Sequence, residues 1–177
     1  MVMTVDVMHT LYLGVMLAFA EKVVWHMLLA GAWAMSTSAD EQVAMSAKRI
    51  RSDFQNWMRQ YHAAHPDEVL TPVKIHKKLF GDISNKTLRT KASQTWTFLL
   101  YLMHAMDQRY NSLGATGPIL VGAGAALVGL VRTFQKATHW MSGESFAMAW
   151  EYWKTFVSLT EADARQLIPK GILCSTC

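Results

Sequence analysis

An acid and an imidazole stand three residues apart in Asp6-Val7-Met8-His9, and a long apolar run opens behind them with Thr10-Leu11-Tyr12-Leu13-Gly14. On a helix, that spacing puts the carboxylate and the ring on one face, within reach of each other or of one shared ion. Such a pair can hold a metal, pass a proton or start a helix, because a carboxylate near a helix N-terminus satisfies orphan N–H groups and the dipole. Spacing alone leaves the three open; the plainest is a cap at Asp6 beside a partly buried His9 ring.

A second candidate chemistry is electrostatic. Residues 74–91 carry six cations, Lys74, Lys77, Lys78, Lys86, Arg89 and Lys91, against the single acid Asp82. Each Lys or Arg set on a phosphate releases condensed counterions, so this segment suits weak, sequence-independent contact with DNA; the alternative is a solvated connector between helices. A net charge of +4 permits a polyanionic partner without requiring one.

Three other patterns carry less. His62-x-x-His65 falls in the last turn of a helix, where the dipole favours imidazolium without any metal. Cys174-x-x-Cys177 lacks the second pair that a zinc site needs. Gly122, Gly124 and Gly129 are followed by no Gly-Lys-Ser/Thr, so they leave room for a neighbouring helix rather than cradle phosphate. Both cysteines fall at the end, and the opening residues lack a basic start and a small-residue cleavage site. A disulfide-stapled secreted domain is therefore not expected; the compartment reads as reducing and intracellular, with the nucleus suited to a DNA contact.

Asp6-x-Met8-His9 followed by Leu13-Gly14 resembles the Asp-x-Met-His segment, commonly Asp-Pro-Met-His-x-x-Leu-Gly, of CACTA-like DDE transposases and their degenerate genomic relatives. Val7 stands where many members have proline. More loosely, Lys91-Ala92-Ser93-Gln94-Thr95-Trp96 through Leu99-Leu100-Tyr101 is similar to the Lys-Ala-x-Glu-x-Arg stretch and Leu-Leu-Tyr helix of the same proteins, with Gln94 replacing the acid and Trp96 the arginine. The resemblance implies an RNase-H-like core that cuts and joins DNA with two ions, Mg2+ or Mn2+, held by three carboxylates. It implies that Asp6 and His9 belong to the catalytic site and that Asp6 is a metal ligand.

The elements that must position these residues read as helices. A chain of 177 residues, 51% hydrophobic and 17% charged, can bury a core. Twelve methionines and seven tryptophans make that core soft and aromatic, with apolar surface left for a partner. A first helix is expected over 5–34, kinked near Gly14 or broken near Gly31. Ser38-x-x-Glu41 is a capping box for the second, on which Ile50, Phe54, Trp57 and Tyr61 recur at helical spacing before Pro66. Residues 67–86 form a basic, irregular connector. A third helix, over 87–110, stripes Trp96, Leu99, Leu100, Met103 and Met106 inward and turns Thr97 away. A fourth starts at Gly117-Pro118. Phe146, Trp150, Trp153 and Val157 form the stripe of a fifth, and Thr160-x-x-Asp163 caps a short sixth that ends before Pro169, leaving 168–177 as a loose tail. Glu21-Lys22 and His26 interrupt the first apolar run, which favours buried helices over membrane spans.

The expectation is a single all-α domain over 1–177, an irregular bundle of five to six helices centred on the helix after Asp6 and packed by Trp25, Leu99, Met103 and Trp153. A bundle without a sheet matches only the helical region of an RNase-H-like transposase, so the chain is expected to be a fragment whose early strands lie upstream of Met1. Glu144 and Glu151 are the only placed candidates for the last carboxylate, and both lack its context. Two functions follow. One is a transposase-derived helical region, non-catalytic and without a cofactor when alone, that contacts DNA and lends an Asp/His site to a missing catalytic core. The other is a non-catalytic helical bundle that binds another protein, soluble or membrane-associated.

Overall fold

The apolar run behind Asp6 winds first as a π-helix, Met8–Val15, and then as α1, Met16–Leu29. The computed structural model describes the backbone of residues 8–137 and 141–167 and the side chains of 10–137 and 141–163. Asp6, the 168–177 tail, Cys174 and Cys177 therefore lie outside the described residues, as does the side chain of His9. The kink expected near Gly14 is a change of winding, and the break at Gly31 is a glycine cap. Gly31 sits at φ +73°, its N–H donating to Leu28 O at 3.2 Å and that of Ala32 to Met27 O at 3.0 Å. This Schellman pattern closes α1 with a residue in the left-handed region that glycine adopts at no steric cost.

Helix α2, Ala39–Ala64, begins where expected but not by the expected cap. The Ser38 side chain makes no cap bond. Glu41 and Gln42 are drawn back instead. The Ser36 hydroxyl donates to Glu41 at 2.7 Å, the Ser36 N–H to Gln42 Oε1 at 3.2 Å, and Gln42 Nε2 to Leu28 O at 2.6 Å. Gln42, the neighbour of the expected box residue Glu41, thus fastens α2 to the end of α1. Val43, Ala47, Ile50, Phe54 and Trp57 form the buried face of α2, which closes at His65, one residue before Pro66.

The connector holds one short turn of helix, α3, Lys77–Phe80, and an isolated bridge between Gly81 and Lys86. Helix α4, Ala92–Gln108, starts later than expected because residues 87–89 are held extended. The Thr87 N–H donates to Phe80 O, that of Arg89 to Leu79 O, and that of Leu88 to the Glu21 carboxylate at 2.9 Å. Eight consecutive residues of α4, from Thr95 to Leu102, are buried. It is as enclosed as α1, the helix expected at the centre. Its ring cluster explains why: Phe54 meets Tyr101 edge-on at 5.3 Å, and Phe98 lies 6.2 Å from Phe80. Thr97 does not face away. Its hydroxyl accepts from the Thr71 N–H at 2.9 Å and donates to Ser93 O, so burial leaves no polar group unmatched there.

The chain divides into two compact units, Met1–Gly114 and Ala115–Cys177. In the second, α5, Gly117–Lys136, has Pro118 in its first turn and pairs with α6, Gly143–Leu167. Gly122 faces Leu159 and Gly129 faces the Tyr152 ring, so the helices run antiparallel with glycines admitting large side chains. This seats Ala149, Tyr152 and Phe156 against α5, one face over from the expected stripe. Phe146 and Trp150 are 64% and 52% exposed, and Trp153 stacks on Phe156 within the same helix. The separate sixth helix beginning at Thr160 does not form, because the Thr160 hydroxyl bonds back to Phe156 O at 3.0 Å within a continuous α6.

The described residues hold six α-helices and no strand, with 76% of residues helical. The helical stretches Thr10–Leu29 and Tyr110–Lys136 are long and apolar enough to cross a membrane by length and composition alone. The polar residues of the first are engaged within its unit, Glu21 by Leu88 and His26 by Leu113 O at 3.1 Å.

Candidate nucleic-acid interface

Period-two alternation builds the basic surface. In the extended segment before α3, Val73 and Ile75 are buried while Lys74 and His76 are exposed, as the pleat requires. Leu79 and Phe80 then anchor α3 inward and leave Lys77 and Lys78 in solvent. Asp82, the one acid of the segment, is turned into its own loop. Its Oδ1 accepts from the Ser84 hydroxyl at 2.6 Å, the Asn85 N–H at 2.9 Å and the Ser84 N–H at 3.0 Å. These bonds, the Ser84 hydroxyl foremost, hold its carboxyl below the ordinary value of 3.8. Gly81 opens the loop at φ +74°, where Asn85 O and Thr87 would collide with any β-carbon.

All six cations are exposed, but they are not equivalent. Lys74, Lys78 and Arg89 line one hollow of about 380 Å³ together with His76 and Gln94, and no carboxylate enters its lining. Lys77 instead stands 3.6 Å from Asp40, and the Lys86 ammonium lies 5.8 Å from the centre of the Trp25 ring. Lys91 is the residue from which α4 starts. Among the described residues no ion pair engages Lys74, Lys78 or Arg89.

Gln94, standing where the resembled family has an acid, braces this surface. Its Oε1 accepts the Lys91 N–H at 3.0 Å, and its Nε2 donates to Pro72 O at 3.2 Å. One side chain thus caps α4 and fixes the segment that carries Lys74.

The Asp6 and His9 pair lies outside what the structure describes, apart from the His9 backbone in the π-wound turns. Among the described residues no three His, Cys, Asp or Glu side chains gather as a metal site. The described side chains therefore do not fit a two-metal phosphoryl-transfer centre. Glu144 and Glu151 are exposed on α6, the latter 2.7 Å from Lys154. His65 stacks on Tyr61 at 4.3 Å and closes α2, while His62 is exposed.

Sequence reasoning missed a polar tie elsewhere in the first unit. Arg109 pairs with Asp53, donates to Ala32 O at 3.2 Å and covers the Trp33 ring at 5.5 Å. Tyr101, buried next to them, has only the Trp33 indole near its hydroxyl, outside good hydrogen-bond geometry. The available signal was Asp53 itself, a carboxylate among the apolar positions Ile50, Phe54 and Trp57. No family model matches the chain, and no curated protein or solved structure matches it.

Proposed function

We propose that the first unit is a transposase-derived helical region, non-catalytic alone, that contacts a nucleic-acid backbone through its connector. The supporting observation is the hollow in which Lys74, Lys78 and Arg89 meet without a carboxylate. Three cations held on a braced surface neutralise phosphates without reading bases, which gives weak, sequence-independent binding. The origin rests on the likeness of the segments at Asp6 and Lys91 to CACTA-like transposases. On this reading Asp6 and His9 complete a site only in a larger parent, where Asp6 is one ligand for Mg2+ or Mn2+, and the protein works in the nucleus. Binding of a labelled duplex, followed by fluorescence anisotropy across salt concentrations, should show log K falling against log salt with a slope of about −2 to −3. Absent or salt-independent binding contradicts the reading. The chain alone should neither cleave nor join DNA with Mg2+ or Mn2+; cleavage abolished by Asp6→Ala would contradict that part.

A second reading, a protein-binding bundle, is favoured by α6, where Phe146, Met148 and Trp150 stand 64%, 46% and 52% exposed. Large apolar groups this exposed within five residues suit a partner surface. Its signature is association in sedimentation velocity that disappears in F146S/W150S while helix content is kept.

A further inference from the structure

A second depression, of about 650 Å³, lies between α2 and the extended segment before α3. Arg51, Phe54, Met58 and Arg59 of α2 line one side, and Lys74 and Ile75 the other. Arg51 and Arg59 are eight residues apart on one face of α2, which separates them by about 12 Å along the axis. Lys74 belongs to this depression and to the hollow of Lys78 and Arg89, so the two adjoin, with five cations and no carboxylate in their combined lining. Among the described residues no ion pair engages Arg51 or Arg59, and Arg59 only donates a hydrogen bond to Asn56 at 2.6 Å.

We propose that this groove takes a single strand of nucleic acid, which rests on the nucleic-acid contact proposed above and gives it a strand form. The floor decides between strand forms. A duplex turns its base faces inward and presents mainly phosphate and sugar, so it gains nothing from the apolar atoms that Met58 and Pro72 leave accessible in the lining. A single strand offers base faces as well as phosphates. Its bases lie on the apolar floor and against the Arg51 and Arg59 guanidinium planes, while its phosphates meet the cationic rim. An acidic peptide would match the rim charge too. The rim, however, continues past the groove to Lys78 and Arg89, a track suited to a regularly repeating polyanion.

The test is fluorescence anisotropy of the full chain with labelled oligo(dT) and with the oligo(dA)·oligo(dT) duplex of equal length. Oligo(dT) should bind at least about tenfold tighter than the duplex. R51Q/R59Q should weaken oligo(dT) by about tenfold and leave the duplex within about twofold, whereas K74A/K78A/R89A should weaken both. If the glutamine pair loses helix by circular dichroism, R51K/R59K keeps the charge and removes the stacking plane, and should still lower the preference for oligo(dT). Equal affinity for the two strand forms, or an oligo(dT) affinity untouched by these changes, overturns the single-strand groove and leaves the backbone contact standing. Salt-independent or absent binding to both overturns both. Poly-glutamate displacing labelled oligo(dT) as well as unlabelled oligo(dT) does would reassign the groove to acidic peptides.

Discussion

Gln94 carries two tasks that a carboxylate in its place could not both perform. Glutamate would keep the acceptor for the Lys91 N–H but lose the donor to Pro72 O, and would set a negative charge in the hollow of Lys74, Lys78 and Arg89. Gln94→Glu should cost about 1 kcal/mol in urea unfolding and weaken DNA binding; unchanged stability would mean that the Pro72 contact contributes nothing. Tyr101 makes the opposite case. Its hydroxyl is buried with only a poorly aligned Trp33 indole beside it, so Tyr101→Phe should change stability by less than about 1 kcal/mol or raise it. Burial first, then Asp53, raises the phenol above its ordinary 10.0, with Arg109 and the nearby Trp33 indole acting the other way. A raised folded-state pKa means that the contribution is complete below pH 10 and is lost as pH rises above it. The Tyr101→Phe variant should therefore lose less stability than the parent above pH 10, and parallel curves would contradict the assignment.

At the scale of elements, α5 and α6 make the sharpest prediction. A β-carbon at Gly129 would stand 2.5–2.8 Å from the Tyr152 ring, whereas at Gly122 it meets only the Leu159 Cδ1 at 3.1 Å. Alanine gains about 1 kcal/mol of helix propensity at either site, which offsets the milder crowding at Gly122 but not the ring clash. Gly129→Ala should cost about 1–3 kcal/mol in thermal unfolding and Gly122→Ala close to nothing; the reverse order would refute this packing. Helix positions were legible in the sequence because apolar periodicity, Pro118 and Gly31 are local signals. Which face packs was less legible. Trp150 and Phe146 have the composition of a core stripe, yet the glycines of α5 select Tyr152 instead, a choice made by shape across two helices. The caps at Ser38 and Thr160 failed similarly, since the Glu41 carboxylate is taken by the Ser36 hydroxyl and the Thr160 hydroxyl by the preceding turn.

For the whole molecule, charge content and charge placement are separate matters. Residue counting showed six cations in one segment, but not that three share a hollow while Lys77 has Asp40 and Lys86 has Trp25. The approach of Arg51 and Arg59 to Lys74 was hidden for the same reason, because it needs the segment folded back on α2. Placement governs nucleic-acid contact, and two variants of equal charge isolate it. The salt dependence of duplex binding should be measured for K74A/K78A/R89A and for K77A/K86A/K91A, each lacking three positive charges. The first should flatten the log–log slope by about 2 to 3 and the second by less than about 1. Equal flattening by the two would contradict it.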